Sequence, residues 1–388
     1  MGALGALSLP YSAQAGLRTA LKGALAVEFG PRRAVAHRLL ARRFFASSGE
    51  GAIADREYGE IWRDAAAETG AQVTDHGNGF LEIARDGRST WVWRQYVTLD
   101  NLLAQRRSLD KEMVHRLLAG AHLPIPQHAS FSTADLRPAL AFLRSATGPC
   151  VVKPAAGTGG GAGVSGGVRT PPELLVASAV AGRHGARLLI ERQADGAMYR
   201  LLFLDGRLLD VVRRSLPHVV GDGRSSVREL IAAENRRRLS ANGHRGFALL
   251  RVDLDCLMTL RRGGRTLRSV PADGEAVVVK SSSSENRRED NETVIAPLDE
   301  GLVARAREAA QVCGLRLAGV DIVTADPTAG DGRPGEVIIE VNCNPGLAYH
   351  YHVRDQQRAT RVAIPLLRHL LAERSPEAPA AVSAPPAA

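Results

Sequence analysis

The chain has 388 residues, 45% of them hydrophobic and 23% charged, with a mean hydropathy of −0.11. At about 150 residues per domain this is enough for two or three cores, and the formal charge of +9 favours anionic ligands without choosing among nucleotides, carboxylates and nucleic acid. No run approaches the roughly 20 apolar residues of a membrane helix, the first thirty residues hold no compact signal segment, and the four cysteines stand far apart; a membrane span, a disulfide framework and a structural zinc site are excluded, and the cytoplasm is the expected compartment.

Residues 12–47 are rich in Ala, Leu and Arg at helical spacing, and 55–69 continue with an amphipathic helix. The period then changes. Alternation in Gly79–Ile83 and Thr90–Trp93, separated by Asp86-Gly87, predicts a β-hairpin, and these segments define a small N-terminal α/β region over 1–105. From Ser108 a capped helix runs to Leu123, where Pro124 and Pro126 stop it. Helix 133–146, strand 149–153, a glycine-rich loop, helix 171–183 and strand 186–191 complete a first subdomain over 106–190. A second, over 191–373, has strands at 199–204 and 207–213, a helix at 226–239, strands near 248–252 and 275–280, a helix at 299–313, paired strands at 319–325 and 336–342, and a last helix near 358–373. Residues 374–388 lack the apolar content to order themselves and form a disordered tail.

Val151-Val152-Lys153-Pro154 leads into seven glycines within the eleven positions 157–167. Backbone N–H groups of such a loop approach phosphate oxygens with no Cβ in the way, and the strand lysine adds a point charge. The alternative is a flexible linker. No Gly-Lys-Ser/Thr closes the run, which excludes a Walker A loop. The Gly161-x-Gly163-x-x-Gly166 match leads into Val168-Arg169-Thr170-Pro171 instead of straight into a helix, against a dinucleotide fold.

Gly319–Val323 and Glu336–Asn342 flank a polar turn. A hairpin centred near residues 330 and 331 sets Asp321 opposite Glu340, with Asn342 on the same face by the two-residue period. Two carboxylates and an amide are hard oxygen donors that suit Mg2+ while phosphate oxygens and water fill the other positions. The alternative is a solvent-facing polar stripe. Cys343 has no identifiable His or Asp partner and reads as a packing residue, not a nucleophile.

A strand Lys153, a glycine loop, a strand ending in Glu191 and the late Asp321, Glu340 and Asn342 together resemble the ATP-grasp superfamily. Val220-Gly221-Asp222-Gly223, Ser226–Ile231 with Asn235, and Ser269–Glu275 resemble its cyanophycin synthetase and bifunctional glutathione synthetase branch, over roughly 107–372. The resemblance implies an α/β (α+β) fold in which two subdomains clasp ATP beside the N-terminal region. It implies ATP binding by Lys111, Lys153, Gly159, Gly160, Gly161 and Gly163, with a connector of Glu191, Arg192 and Gln193 reading the adenine. It also implies Mg2+, usually two ions and with Mn2+ as a substitute, on Asp321, Glu340 and Asn342. Lys111 is otherwise an exposed helix charge. Two departures stand out: Met198, in Gly196-Ala197-Met198-Tyr199-Arg200, replaces an acid that commonly contacts ribose, and Arg287–Asn291 replace Ser/Thr-Gly-Gly after Asn286, in the segment expected to face substrate.

Ligases of this kind join a carboxylate to an amine through an acyl phosphate, releasing ADP and phosphate; amino acids or a short peptide are the expected substrates. Arg200, Arg214 and Lys153 are the candidates to stabilise the transferring phosphoryl group, and Arg213, Asn286, Arg288 and His350 the candidates to bind substrate. A homodimer is an expected assembly. Two other readings stay open. One is a nucleotide-binding regulator without chemistry, kept by Met198; the other is a nucleic-acid-binding protein, prompted by a pI near 9.9 and Arg236-Arg237-Arg238 but opposed by only 4% aromatic residues.

Overall fold

The computed structural model describes residues 50–239, 249–328 and 336–372, so the expected helices over 12–47, the hairpin centre at 330–331 and the tail over 374–388 lie outside the described residues. Helix α1 (Glu50–Thr69) is followed by β1 (Gln72–Gly77), β2 (Phe80–Arg85), β3 (Arg88–Trp93) and β4 (Tyr96–Val97), paired in that order as an antiparallel sheet. The Asp86-Gly87 turn has φ of +53° and +73°, the two-residue hairpin geometry whose twist matches its strands. The sequence pattern misses β1 because nearly all of it is exposed and carries no apolar alternation.

Helix α2 (Leu102–Ser108) was not expected, and α3 (Lys111–Gly120) is the helix expected from Ser108, begun three residues later. Asp110 sets its start: the residue leaves helical geometry (φ −99°, ψ 100°) and accepts the Met113 N–H at 3.1 Å as the N-cap of α3. Next come β5 (His128–Ser132), α4 (Arg137–Ser145), β6 (Cys150–Pro154), β7 (Ser165–Val168), α5 (Pro171–Ala181) and β8 (Arg187–Arg192), giving a sheet ordered β5-β8-β6-β7. Phe131, Val152, Leu188 and Ile190 pack on Leu143, Leu174 and Ala177 of its two helices. The alternating residues His128, Lys153 and Glu191 therefore take the opposite face.

The rest of the chain contains β9 (Ala197–Leu204), β10 (Arg207–Arg214), β11 (His218–Val220), α6 (Val227–Leu239), α7 (Leu254–Arg262), β12 (Ala276–Val278), β13 (Asn291–Thr293), α8 (Glu300–Val312), β14 (Leu317–Thr324), β15 (Val337–Cys343), α9 (Ala348–Tyr351) and α10 (Ala363–Ala372). They build a second antiparallel sheet, β13-β10-β9-β14-β15, and a ribbon of β11 and β12. The strand expected near 248–252 does not form over the described part of that stretch. Asn235 takes both backbone groups of Leu250, at 2.8 and 2.9 Å, and Glu285 takes the Arg251 N–H, which leaves this backbone no ladder to join.

Strand β9 shows how the second sheet is used. Tyr199, Leu201 and Phe203 pack with Leu302, Ala306 and Ala309 of α8 and with Val114 and Leu118 of α3. On the other face Leu202 and Leu204 pack with Trp62, Ile83, Leu347 and Leu367, so α1, the N-terminal sheet and α10 cover one half of that face. Met198 and Arg200 occupy the other half, and the same alternation that buries the leucines delivers a polar site.

Candidate functional site

Cross-strand pairing sets the polar half of this face. Arg200 on β9 lies opposite Asp321 on β14, Asp321 opposite Glu340 on β15, and Met198 opposite Arg214 on β10. Arg200 and Asp321 are both buried, and the carboxylate receives the guanidinium fork on its two oxygens, Nε at 2.7 Å and Nη2 at 2.6 Å. Burial acts to lower the Arg200 pKa, but the charge and hydrogen bonds of Asp321 outweigh it and the pKa rises. Asn342 donates from Nδ2 to Asp321 Oδ2 and to the Gly319 carbonyl, both at 3.3 Å.

Arg214 is buried with no ion-pair partner among the described residues. Its Nη2 donates to the Ser283 carbonyl at 2.8 Å, its guanidinium lies 4.0 Å over the Tyr349 ring, and its Nε has no hydrogen-bond partner. Burial pushes its pKa down. A buried cation with spare donors is built to receive an anion.

The first sheet and α3 supply the facing charges. The Lys111 N–H donates to the Ala155 carbonyl at 2.8 Å, and its Nζ donates to the Thr158 carbonyl at 3.2 Å and stands 3.5 Å from Glu340 Oε1. With 7% exposure, Lys111 is not a solvated helix charge. Burial raises the Glu340 pKa, but Lys111, Lys153 and Arg200 together hold it below its ordinary value. Lys153 is bound to Glu191 at 2.8 Å, and His115 Nε2 lies 3.5 Å from the same oxygen.

The glycine loop leans on the segment 281–284. Gly161, at φ +72°, faces the Ser282 and Ser284 hydroxyls, and the Gly166 N–H donates to Ser281 Oγ at 3.0 Å; Gly159 and Gly160 face open space, and Gly163 abuts Pro154 and His184. A network around the buried Lys280 anchors those serines: Lys280 lies 2.7 Å from Asp253, 3.5 Å from Asp255 and 3.8 Å from Glu285, while Asp255 accepts the Ser281 N–H at 3.0 Å. Sequence reasoning missed this network, as it missed His115. For His115 a signal was present, since it follows Lys111 by four residues on one helix face; Lys280 and its acids meet only through the fold.

Six of the expected site residues are not brought into this face. Arg213 alternates away from Arg214 and pairs with Glu292 at 3.3 Å on the exposed side. Arg192 alternates away from Glu191 and is exposed, and Gln193 spends its Oε1 on the Gly167 N–H at 2.7 Å. Asn286 is buried, donating to the Ser215 carbonyl and Asn291, and Arg288 donates to the Val353 carbonyl. His350 is fully buried, with Nδ1 2.6 Å from Asp210, because short α9 packs its inner side against β10.

Among the described residues no three His, Cys, Asp or Glu side chains could hold a metal ion by themselves. Asp321, Glu340 and Asn342 are nevertheless hard oxygen donors at neighbouring register positions, and Asp321 Oδ1 keeps a lone pair beyond the one Arg200 uses, while Oδ2 accepts from both Arg200 and Asn342. Two carboxylates and an amide fit a Mg2+ ion that also carries phosphate oxygens.

No family model matches the chain. It is 31% identical over 255 residues to the cyanophycin synthetase of Nostoc sp., covering 64% of this chain and 28% of that protein. It is 29% identical over 287 residues to the glutathione biosynthesis bifunctional protein GshAB of Streptococcus mutans, covering 72% of this chain and 38% of that one. The bifunctional glutathione synthetase structure from Pasteurella multocida aligns with a TM-score of 0.49 at 21% identity, over 79% of this chain and 42% of that one. The chain thus spans well under half of these relatives. In sequence the chain is similar to two ligases, cyanophycin synthetase and the bifunctional glutathione protein, of the ATP-grasp branch that its motifs resemble.

Proposed function

We propose that the chain is an ATP-dependent carboxylate–amine ligase acting on amino acids or a short peptide, its subdomains over 106–190 and 191–373 closing on the nucleotide. The observation that carries this reading is the meeting of Lys111 from α3 with Glu340 from β15, beside Arg200, Asp321 and the unpaired Arg214. Positive groups gathered around oxygen donors suit a triphosphate and a transferring phosphoryl group.

Water favours the free acid and amine, so the carboxylate must first be activated. In the proposed course a substrate carboxylate attacks the γ-phosphorus, the bond to the β-phosphate oxygen breaks, and ADP leaves. The amine then attacks the acyl carbon and phosphate departs. Mg2+, held by Asp321, Glu340 and Asn342, would supply charge neutralisation on the phosphates. Arg214, with donors to spare, receives the developing negative charge, while Arg200 holds Asp321 in place. Lys153 exchanges Glu191 for phosphate oxygens, and the glycine loop lays its N–H groups along the phosphates. No side-chain nucleophile is required. The serine segment 281–284 shields the loop from water.

The test is ADP release by purified protein with Mg-ATP over a panel of acids and amines in pairs. Release that needs both partners of one pair is the expected result. Nucleotide hydrolysis indifferent to every pair, or no nucleotide binding, would sink the reading. No described helix is long and apolar enough to cross a membrane.

A further inference from the structure

His115 has no role in the account above, and its surroundings lack something. The side chain is 2% exposed, and neither Nδ1 nor Nε2 has a hydrogen-bond partner among the described residues. Native structures rarely leave a buried imidazole so, because an unmade bond costs the desolvation of the group. His115 stands one helical turn after Lys111 on α3, so both point from the same helix face toward the inner face of the first sheet. There its Nε2 lies 3.5 Å from Glu191 Oε1, the oxygen that Lys153 approaches to 2.8 Å. The His128 ring is tilted against it, with centroids 4.5 Å apart, and His128 donates from Nδ1 to the Pro126 carbonyl at 3.0 Å.

Burial first, then the charges of Lys153, His128 and Lys111, push the His115 pKa down to about 3. The ring is therefore neutral, with one donor and one acceptor. The Glu191 oxygen 3.5 Å from Nε2 favours the tautomer with its proton there. Nδ1 is left as a buried acceptor that accepts from nothing among the described residues.

We infer that His115 is a specificity-determining residue for the nucleobase, its Nδ1 accepting an amino N–H of the base edge while its Nε2–H holds Glu191. This rests on the reading of the site as an ATP site and deepens it. A 6-aminopurine offers a donor at the position where a 6-oxopurine offers an acceptor. Opposite Nδ1, the first completes a hydrogen bond and the second sets lone pair against lone pair.

The experiment is equilibrium binding of Mg-ATP and Mg-ITP, which differ at the 6-position, to the full chain and to His115→Leu and His115→Asn, with circular dichroism to confirm folding. Wild type is expected to prefer ATP by about tenfold or more, the size of discrimination that a buried hydrogen-bonding group provides. His115→Leu should abolish the preference by weakening ATP and sparing ITP, and His115→Asn, which keeps an acceptor, should recover much of it. An ATP-to-ITP ratio unchanged in His115→Leu overturns the inference and leaves the ligase reading intact, and so does an equal loss of both nucleotides, which would mark a structural role. Failure of wild type to bind either nucleotide overturns the ligase reading as well.

Discussion

Asp321→Ala is expected to lower stability by about 3–5 kcal/mol, read as a shift of the urea unfolding midpoint, because it strands the Arg200 guanidinium in the interior without its counter-charge. Both members of this pair are buried, at 2% and 6% exposure, and both guanidinium bonds end on Asp321. Glu340→Ala, one strand away, should behave differently. Its side chain keeps 32% exposure and its contact with Lys111 is 3.5 Å long, so stability should change by no more than about 1 kcal/mol. ADP release should nonetheless cease. The combination Asp321→Leu with Arg200→Met removes both charges, and should recover most of the lost stability without restoring turnover. A midpoint unmoved in Asp321→Ala would mean that Arg200 finds a second partner and that the pair does not organise this face.

The other large effect belongs to a glycine. Gly196→Ala should cost roughly 3 kcal/mol, while Gly87→Ala should cost about 1 kcal/mol, though both residues have positive φ. Gly87, at φ +73°, sits on an open hairpin turn where a methyl group meets nothing within 4 Å. Gly196, at φ +134°, would drive its Cβ to 2.5 Å from the Thr324 carbonyl carbon and oxygen and 2.9 Å from the Ala325 nitrogen. Those are main-chain atoms, which cannot rotate aside as a side chain can. Gly196 also joins β8 to β9, the passage from one sheet to the other, so the strain falls where Met198 and Arg200 take their register. Urea denaturation of both variants decides the matter: equal losses would show that the backbone at 324–325 yields.

The legible parts of the fold were those governed by local pattern. The β14–β15 register could be counted from the symmetry of the polar turn, and Asp321 does lie opposite Glu340. The Asp86-Gly87 hairpin followed from turn chemistry. Alternation also says that Arg213 and Arg214 point to opposite faces, but not which face carries the site. That is decided by α8, which packs against one side of β9 and β10, and by α1 with α10, which take half of the other. The fold places Asn286 and His350 in the same way: Asn286 Nδ2 donates to the Ser215 carbonyl and to Asn291, and His350 Nδ1 meets Asp210, while Asn286 Oδ1 and His350 Nε2 have no hydrogen-bond partner among the described residues. The segment Leu250–Arg251 was apolar enough for a strand, yet side chains from Asn235 and Glu285 claimed its backbone first.

The core shared by α1, the N-terminal sheet and α10 makes order of synthesis matter. Trp62 and Ile83 are completed by Leu366, Leu367 and Leu370, and Arg361 ties α10 to Asp64 across 297 residues of chain. At translation rates of about 5–20 residues per second, the N-terminal sheet waits on the order of tens of seconds for the helix that covers it. Throughout that interval a half-built unit leaves the ribosome with its apolar side bare, exposed to chaperones and to neighbouring nascent chains alike, until the helix that covers it has emerged.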